Sequence, residues 1–226
     1  MFKRQSKDMF DKIIISLLLN GIWETVFMTF TAGFFGFVLG LPVGIVLFLT
    51  KKGQLLESPL YNRILSVLVN VFRSIPFIIL IVWLIPFTRG LIGTSIGVYA
   101  ALVPLSIGAA PFIARLVENS LLEVPNGLIE TARALGASPF QIVTKVLLPE
   151  ALPSLINNAT ITLITLIGYS AMGGAVGAGG LGQVGYQYGY VGYNAFIMNI
   201  VLFLLIALVF IIQFSGDKLS KKYNHK

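Results

Sequence analysis

The sequence predicts an all-α integral membrane protein of five transmembrane helices, and three observations carry that expectation. Apolar residues make up 56% of the 226-residue chain and charged residues only 11%, where soluble domains run near a quarter charged. Mean hydropathy is +0.88. The few charges gather in short clusters between long apolar runs. No soluble fold of this length hides so much apolar surface, so lipid must serve as part of the solvent. The net charge of +7 follows the same pattern. Basic clusters beside apolar runs suit loops at an anionic membrane surface and leave nucleic acid without a footprint. The absence of cysteine excludes a disulfide framework, a thiolate metal site and a cysteine nucleophile.

Charge-free runs of about 18 residues or more mark the spans. The first covers Val26 to Thr50 and ends at Lys51 and Lys52. The second covers Leu65 to Phe87 and contains Arg73, the third lies between Arg89 and Arg115, and a polar stretch follows from Arg115 to Glu150. No charge then occurs before Asp217, an interval that suits two spans, Leu152 to Ala171 and Ala195 to Gln213. The resulting domains are an N-terminal segment 1–20, a transmembrane domain 21–213 and a basic tail 214–226.

Ten basic residues fall on one side of this arrangement: Lys51, Lys52, Arg63, Arg115, Arg133, Lys145, Lys218, Lys221, Lys222 and Lys226. Five fall on the other: Lys3, Arg4, Lys7, Lys12 and Arg89. The richer side is expected to be cytoplasmic, with the N-terminus outside. Splitting Ile13–Thr50 at Ala32–Gly33 gives a six-span alternative, which leaves Glu24 near mid-membrane, a costly place for a carboxylate. No small-x-small cleavage site follows the short apolar stretch Ile13 to Leu19, so an uncleaved start is expected. Within the first span Gly36, Gly40 and Gly44 recur every four residues, the spacing that lets helix backbones approach closely in lipid. Pro42 between them is expected to kink the helix.

The polar stretch reads as two short helices. Pro125 opens the first, Leu128, Ala132 and Leu135 recur on one side, and Glu130 can pair with Arg133 three residues on. Gly136 supplies a stop. Ser138-Pro139-Phe140-Gln141 then has the form of a capping box, with Phe140, Val143 and Leu147 as the apolar side and Gln141 and Lys145 as the polar side. Pro149 and Pro153 punctuate the return to the membrane. Such a loop either rests on lipid headgroups or docks a partner with its polar tip.

Glu130-Thr131-Ala132, three residues, Gly136, nine residues, then Val146-Leu147-Leu148-Pro149 resembles the EAA loop of bacterial ABC importer permeases, with departures only at Thr131 and Val146. Arg73-Ser74-Ile75-Pro76-Phe77 resembles the Arg-x-x-Pro stretch of amino-acid importer permeases. With Gly168 to Gly174 and Gly182 to Tyr188, the chain is similar from Gly21 to Gln213 to the methionine-importer permease family. The resemblance implies a type I importer permease fold in the bacterial inner membrane, carrying methionine in D- and L-forms. It implies a homodimer with two ATP-binding ABC subunits and a substrate-binding lipoprotein. Glu130, Thr131, Ala132, Arg133, Gly136, Ser138, Pro139, Lys145 and Pro149 would form the ATPase-coupling loop.

Other motifs exclude other chemistries. Gly177 to Gly182 matches the spacing of a dinucleotide fingerprint, but it joins two membrane spans and has no acid about 20 residues on. No phosphate-binding G-x-x-x-x-G-K-[ST] motif occurs, so no cofactor is expected in this chain, and ATP and magnesium belong on the partner ATPase. His225 is the only histidine and no aspartate lies between Asp11 and Asp217, which leaves no metal site or catalytic base. An ion-coupled secondary carrier is the alternative, although the spans hold no proton-shuttling group and Arg73 cannot serve as one. Arg73 is expected to be structural. The tyrosines Tyr169, Tyr186, Tyr188, Tyr190 and Tyr193 either anchor helix ends at the interface or line an irregular segment on the outer side. Met172, among small residues after the fourth span, is either ordinary packing or a candidate gate, since a flexible thioether can plug and clear an irregular gap.

Overall fold

The computed structural model describes residues 2–223, with side chains from Ile13 onward. The basic side chains Lys3, Arg4, Lys7 and Lys12, and likewise His225 and Lys226, lie outside the described residues. Every regular element described is helical: α1 (Phe2–Leu49), α2 (Pro59–Ser74), α3 (Phe77–Trp83), α4 (Ile85–Ile92), α5 (Val98–Leu122), α6 (Asn126–Ala134), α7 (Pro139–Ile142), α8 (Leu148–Glu150), α9 (Leu152–Gly174), α10 (Gly180–Val184) and α11 (Ala195–Tyr223). Stretches of π-helix, Val143–Leu147 and Gly185–Val191, continue α7 and α10. Lipid explains this monotony. Without water, backbone N–H and C=O groups must pair within the chain, and a helix pairs them locally.

Four helices are long and apolar enough to cross a membrane, and α2 with α3, bent at Pro76, makes a fifth span if the pair is counted as one. Each expected span corresponds to one of these helices or to the bent pair, with different boundaries. α1 does not begin at Val26, and no break separates an N-terminal segment at residue 20. The helix also passes unbroken through Ala32 and Gly33, so the six-span alternative is excluded. Its apolar part, Ile13–Leu49, is roughly 55 Å long, well over the ~30 Å of hydrocarbon. α11 likewise runs through residues 213–214 to Tyr223. The second span is not one helix. Pro76 disfavours helical backbone at Ile75, which takes φ −75°, ψ 121°. The third span continues past Arg115 to Leu122, because Arg115 and Glu118 neutralise each other inside the helix.

The chain divides into two compact units. In the unit made of Gly33–Pro76, Ser106–Ile164 and Ile212–Lys226, the glycine repeat of α1 lies against α5. A Cβ at Gly40 would stand 2.5 Å from the Ala110 carbonyl oxygen, and one at Gly44 would stand 2.5 Å from that of Ala114. No side chain fits there, so the spacing serves packing. Arg115 donates to Glu118 at 2.6 Å and to the Ser66 carbonyl at 3.0 Å, and Lys51 approaches Glu118 at 3.7 Å. Glu118 is 4% exposed; leaving such a carboxylate unpaired costs about 3–5 kcal/mol. Asn62 and Asn158 bind across helices in the same way, Asn62 to the Leu47 carbonyl and Asn158 to that of Leu116. The Arg73 guanidinium, exposed at the end of α2, lies 6.0 Å from the Phe112 ring centroid. This cation–π contact agrees with a structural role.

In the other unit, Met1–Ala32, Phe77–Leu105 and Thr165–Ile211, a glycine turn joins α9 to α10. Gly177, Gly179 and Gly180 have φ of +87°, +93° and +73°, a region open to glycine and few others. A Cβ at Gly182 would overlap the Ala171 backbone, and one at Gly174 would overlap that of Gly182 and Gln183. Leu181, Val184, Ile197 and Val201 form the core beside this turn. Tyr169 stacks on Phe77 with centroids 4.4 Å apart. Tyr186, Tyr188, Tyr190 and Tyr193 are exposed.

Candidate functional site

The loop between α5 and α9 is built by its caps. At the end of α6 the Ala137 N–H donates to the Ala132 carbonyl at 3.1 Å, and the Gly136 N–H to that of Arg133 at 2.9 Å. These two bonds define a Schellman turn, which places Gly136 in the left-handed region; its φ is +78°. The next helix opens on the expected capping box. The Gln141 N–H donates to Ser138 Oγ at 3.3 Å, and the Ser138 N–H to Gln141 Oε1 at 2.9 Å. Pro139 fills the first position, where its missing N–H has no cost. Thr131 Oγ1 donates back to the Gly127 carbonyl at 2.7 Å. Pro149 lacks the N–H that would bond the Lys145 carbonyl, and the preceding turn is wide, with the Leu148 N–H reaching Val143.

The caps therefore hold Glu130, Thr131, Ala132, Arg133, Gly136, Ser138, Pro139, Lys145 and Pro149 on one short two-helix element. All are exposed except Ala132, which is half-buried. Three details differ from expectation. Among the described residues Glu130 and Arg133 make no ion pair; both side chains face open surroundings. The first helix buries Ile129 at 6% exposure, while Leu128 and Leu135 are 42% and 83% exposed. The second buries Ile142, Val143 and Leu147 but leaves Phe140 76% exposed. Helices of four to nine residues contain too few turns for periodicity to choose their inner face.

Leu135 and Phe140 are the functional candidates that the periodicity misplaced. They flank the Gly136 turn and present two large apolar side chains on an otherwise polar tip. Exposed apolar anchors inside a polar rim are the usual chemistry of a protein interface. Their visible signal was proximity to the turn. Met172 lies in the last turn of α9 rather than beyond it, and is 51% exposed. Among the described residues no group of His, Cys, Asp and Glu could hold a metal.

The model of binding-protein-dependent transport system inner membrane components matches residues 36–225. The chain belongs to this family. It is a multi-pass protein of the inner membrane. An Escherichia coli K12 relative named D-methionine transport system permease protein MetI is 68% identical over 158 residues, 70% of this chain and 73% of the relative. A Vibrio cholerae relative named "Probable D-methionine transport system permease protein MetI" is 53% identical over 210 residues, 93% of each chain. A chain from an inward-facing structure of the MetNI methionine ABC transporter aligns with a TM-score of 0.93 and 66% identity, covering 94% of this chain and 98% of that one. A chain of an amino acid ABC transporter crystallised with histidines shares the fold, with a TM-score of 0.68 at 21% identity.

The Schellman turn makes a directional prediction. A Cβ at Gly136 meets nothing within 4 Å, so Gly136→Leu strains the backbone without a clash, by roughly 1–2 kcal/mol. Limited proteolysis of the membrane-inserted protein should cut the loop about tenfold faster in Gly136→Leu, while Gly136→Asn, which tolerates this conformation, stays near wild type. Equal rates for all three would remove the turn from the account of the site.

Proposed function

We propose that this chain is the permease subunit of an ATP-driven importer, carrying methionine in both D- and L-forms across the bacterial inner membrane. The observation that carries the reading is the capped two-helix element with Leu135 and Phe140 exposed at its tip. The family membership and the methionine-transport relatives supply its setting. In this reading residues 125–149 seat in a separate ATPase, and hydrolysis of ATP with magnesium belongs to that partner. One loop grips one ATPase subunit, so two copies of the chain and two ATPases form a symmetric pathway, supplied by a substrate-binding lipoprotein. The motion of the ATPases on binding ATP passes through the docked loops to the spans and alternates access.

The basic residues orient the chain, with Lys51–Lys52, the two-helix loop and the tail inside and the N-terminus outside. The half-exposed Met172 then lies at the outer end of α9. The packed Gly173 and Gly174 follow it in α9, and the side chain closes the outer pathway against its symmetry mate. Met172→Cys should cross-link the homodimer in the resting state and less so with ATP bound; a folded, active variant that never cross-links leaves Met172 as packing.

Reconstituted with its ATPase and binding protein, the chain should take up methionine only with ATP, and uptake should survive an uncoupler. Uptake driven by the proton gradient without an ATPase would make it a secondary carrier instead.

A further inference from the structure

Among the described residues Glu24 is a carboxylate without a charge partner. Both ion pairs among the described residues end on Glu118, and Glu24 accepts one hydrogen bond, from the Gly180 N–H to Oε2 at 2.6 Å. The neighbouring Thr25 Oγ1 accepts the Leu181 N–H at 2.9 Å, so the pair of side chains pins the glycine turn and fixes the carboxylate. Oε1 has no partner among the described residues.

Glu24 lines a cavity of about 510 Å³ together with the polar residues Asn20, Gln183, Gln187, Tyr99 and Tyr188 and the apolar Leu17 and Ile96. The Phe27 ring holds Tyr99 edge-to-face at 5.7 Å. Gln183 Oε1 is itself committed to the Gly179 N–H. The remaining set is one anionic oxygen amid amide and phenol oxygens, which suits a small cation with several N–H donors.

Depth decides what can reach it. Glu24 precedes Thr50 by 26 positions, ~39 Å along the helix. α1 is longer than the ~30 Å of hydrocarbon, and in the orientation proposed above its N-terminal half, which carries Glu24, is the outer end. Trp23 and Tyr99, 70% and 69% exposed, are the residue types found at membrane–water interfaces.

We propose that this cavity binds a primary ammonium group, with Glu24 as its anion. Two sources carry that chemistry at the outer surface: the amino group of a transported amino acid and the headgroup of phosphatidylethanolamine. The amino-acid source rests on the import reading above; the lipid source does not. A quaternary ammonium offers no N–H donor, so phosphatidylcholine is excluded by the same chemistry.

The test uses the purified full chain in nanodiscs, as wild type and as Glu24→Gln. The amide keeps an acceptor for Gly180, and an unchanged thermal melt certifies the fold. In mixed phosphatidylcholine–phosphatidylethanolamine discs, mass spectrometry of co-purified lipid reads the lipid source. In phosphatidylcholine discs, saturation-transfer NMR with methionine methyl ester and with N-acetylmethionine reads the solute source. Wild type should enrich phosphatidylethanolamine, or bind the ester but not the N-acetyl compound, and Glu24→Gln should lose that ligand by about tenfold or more. Binding unchanged by Glu24→Gln, equal binding of N-acetylmethionine, or no ammonium ligand in either arm overturns the site. ATP-driven methionine uptake by the wild type, measured separately, keeps a failed site distinct from a failed import reading.

Discussion

The constraint on which the rest of this structure depends is that a backbone amide at membrane depth has no water to pair with. Regular helix satisfies it along most of the chain, and each interruption then requires a specific device. Ser138 and Gln141 cap α7 reciprocally. Ala137 and Gly136 return their N–H groups to the end of α6. The wide turn before Pro149 reroutes the Leu148 N–H to Val143, and Glu24 and Thr25 receive the N–H groups that open α10. At the buried opening of α10 an unpaired amide costs several kcal/mol; on the exposed loop water can replace a cap, and each is worth about 1 kcal/mol.

The lipid surroundings also explain how the helices within each unit pack. Lipid is as apolar as leucine, so helices gain little by burying one another and must gain by close approach. The glycines of α1 against the α5 backbone, and Gly174 and Gly182 at the turn, supply that approach. Buried polar groups add direction. The Arg115–Glu118 pair with Lys51, and the two asparagine bridges, each bind a particular register of neighbouring helices.

Much of this was legible in the sequence, for identifiable reasons. Long charge-free runs located the four long apolar helices and the bent α2–α3 pair, and the four-residue glycine spacing announced its packing role. Gly136 and Ser138-Pro139-Phe140-Gln141 specified their turn and cap, because those signals are local and chemical. Boundaries were less legible. α1 extends to Phe2 because nothing between Asn20 and Val26 breaks a helix, although Glu24 looked like an edge. Arg115 and Glu118 looked like the start of a loop because a sequence does not display that two opposite charges three residues apart will neutralise each other in a helix. The opposite error occurred at Pro76, where apolar composition concealed a break. Leu135 and Phe140 were assigned inward by a periodicity that such short helices cannot support.

The central claim is that force enters this chain through residues 125–149 from a separate ATPase, and hydrogen exchange measures that contact without mutation. Amides of the two-helix loop should gain protection when the ATPase is added to the membrane-embedded chain, concentrated around Leu135 to Phe140, while the spans exchange as before. A loop whose exchange is unchanged in an assembled, ATP-hydrolysing complex would contradict the account.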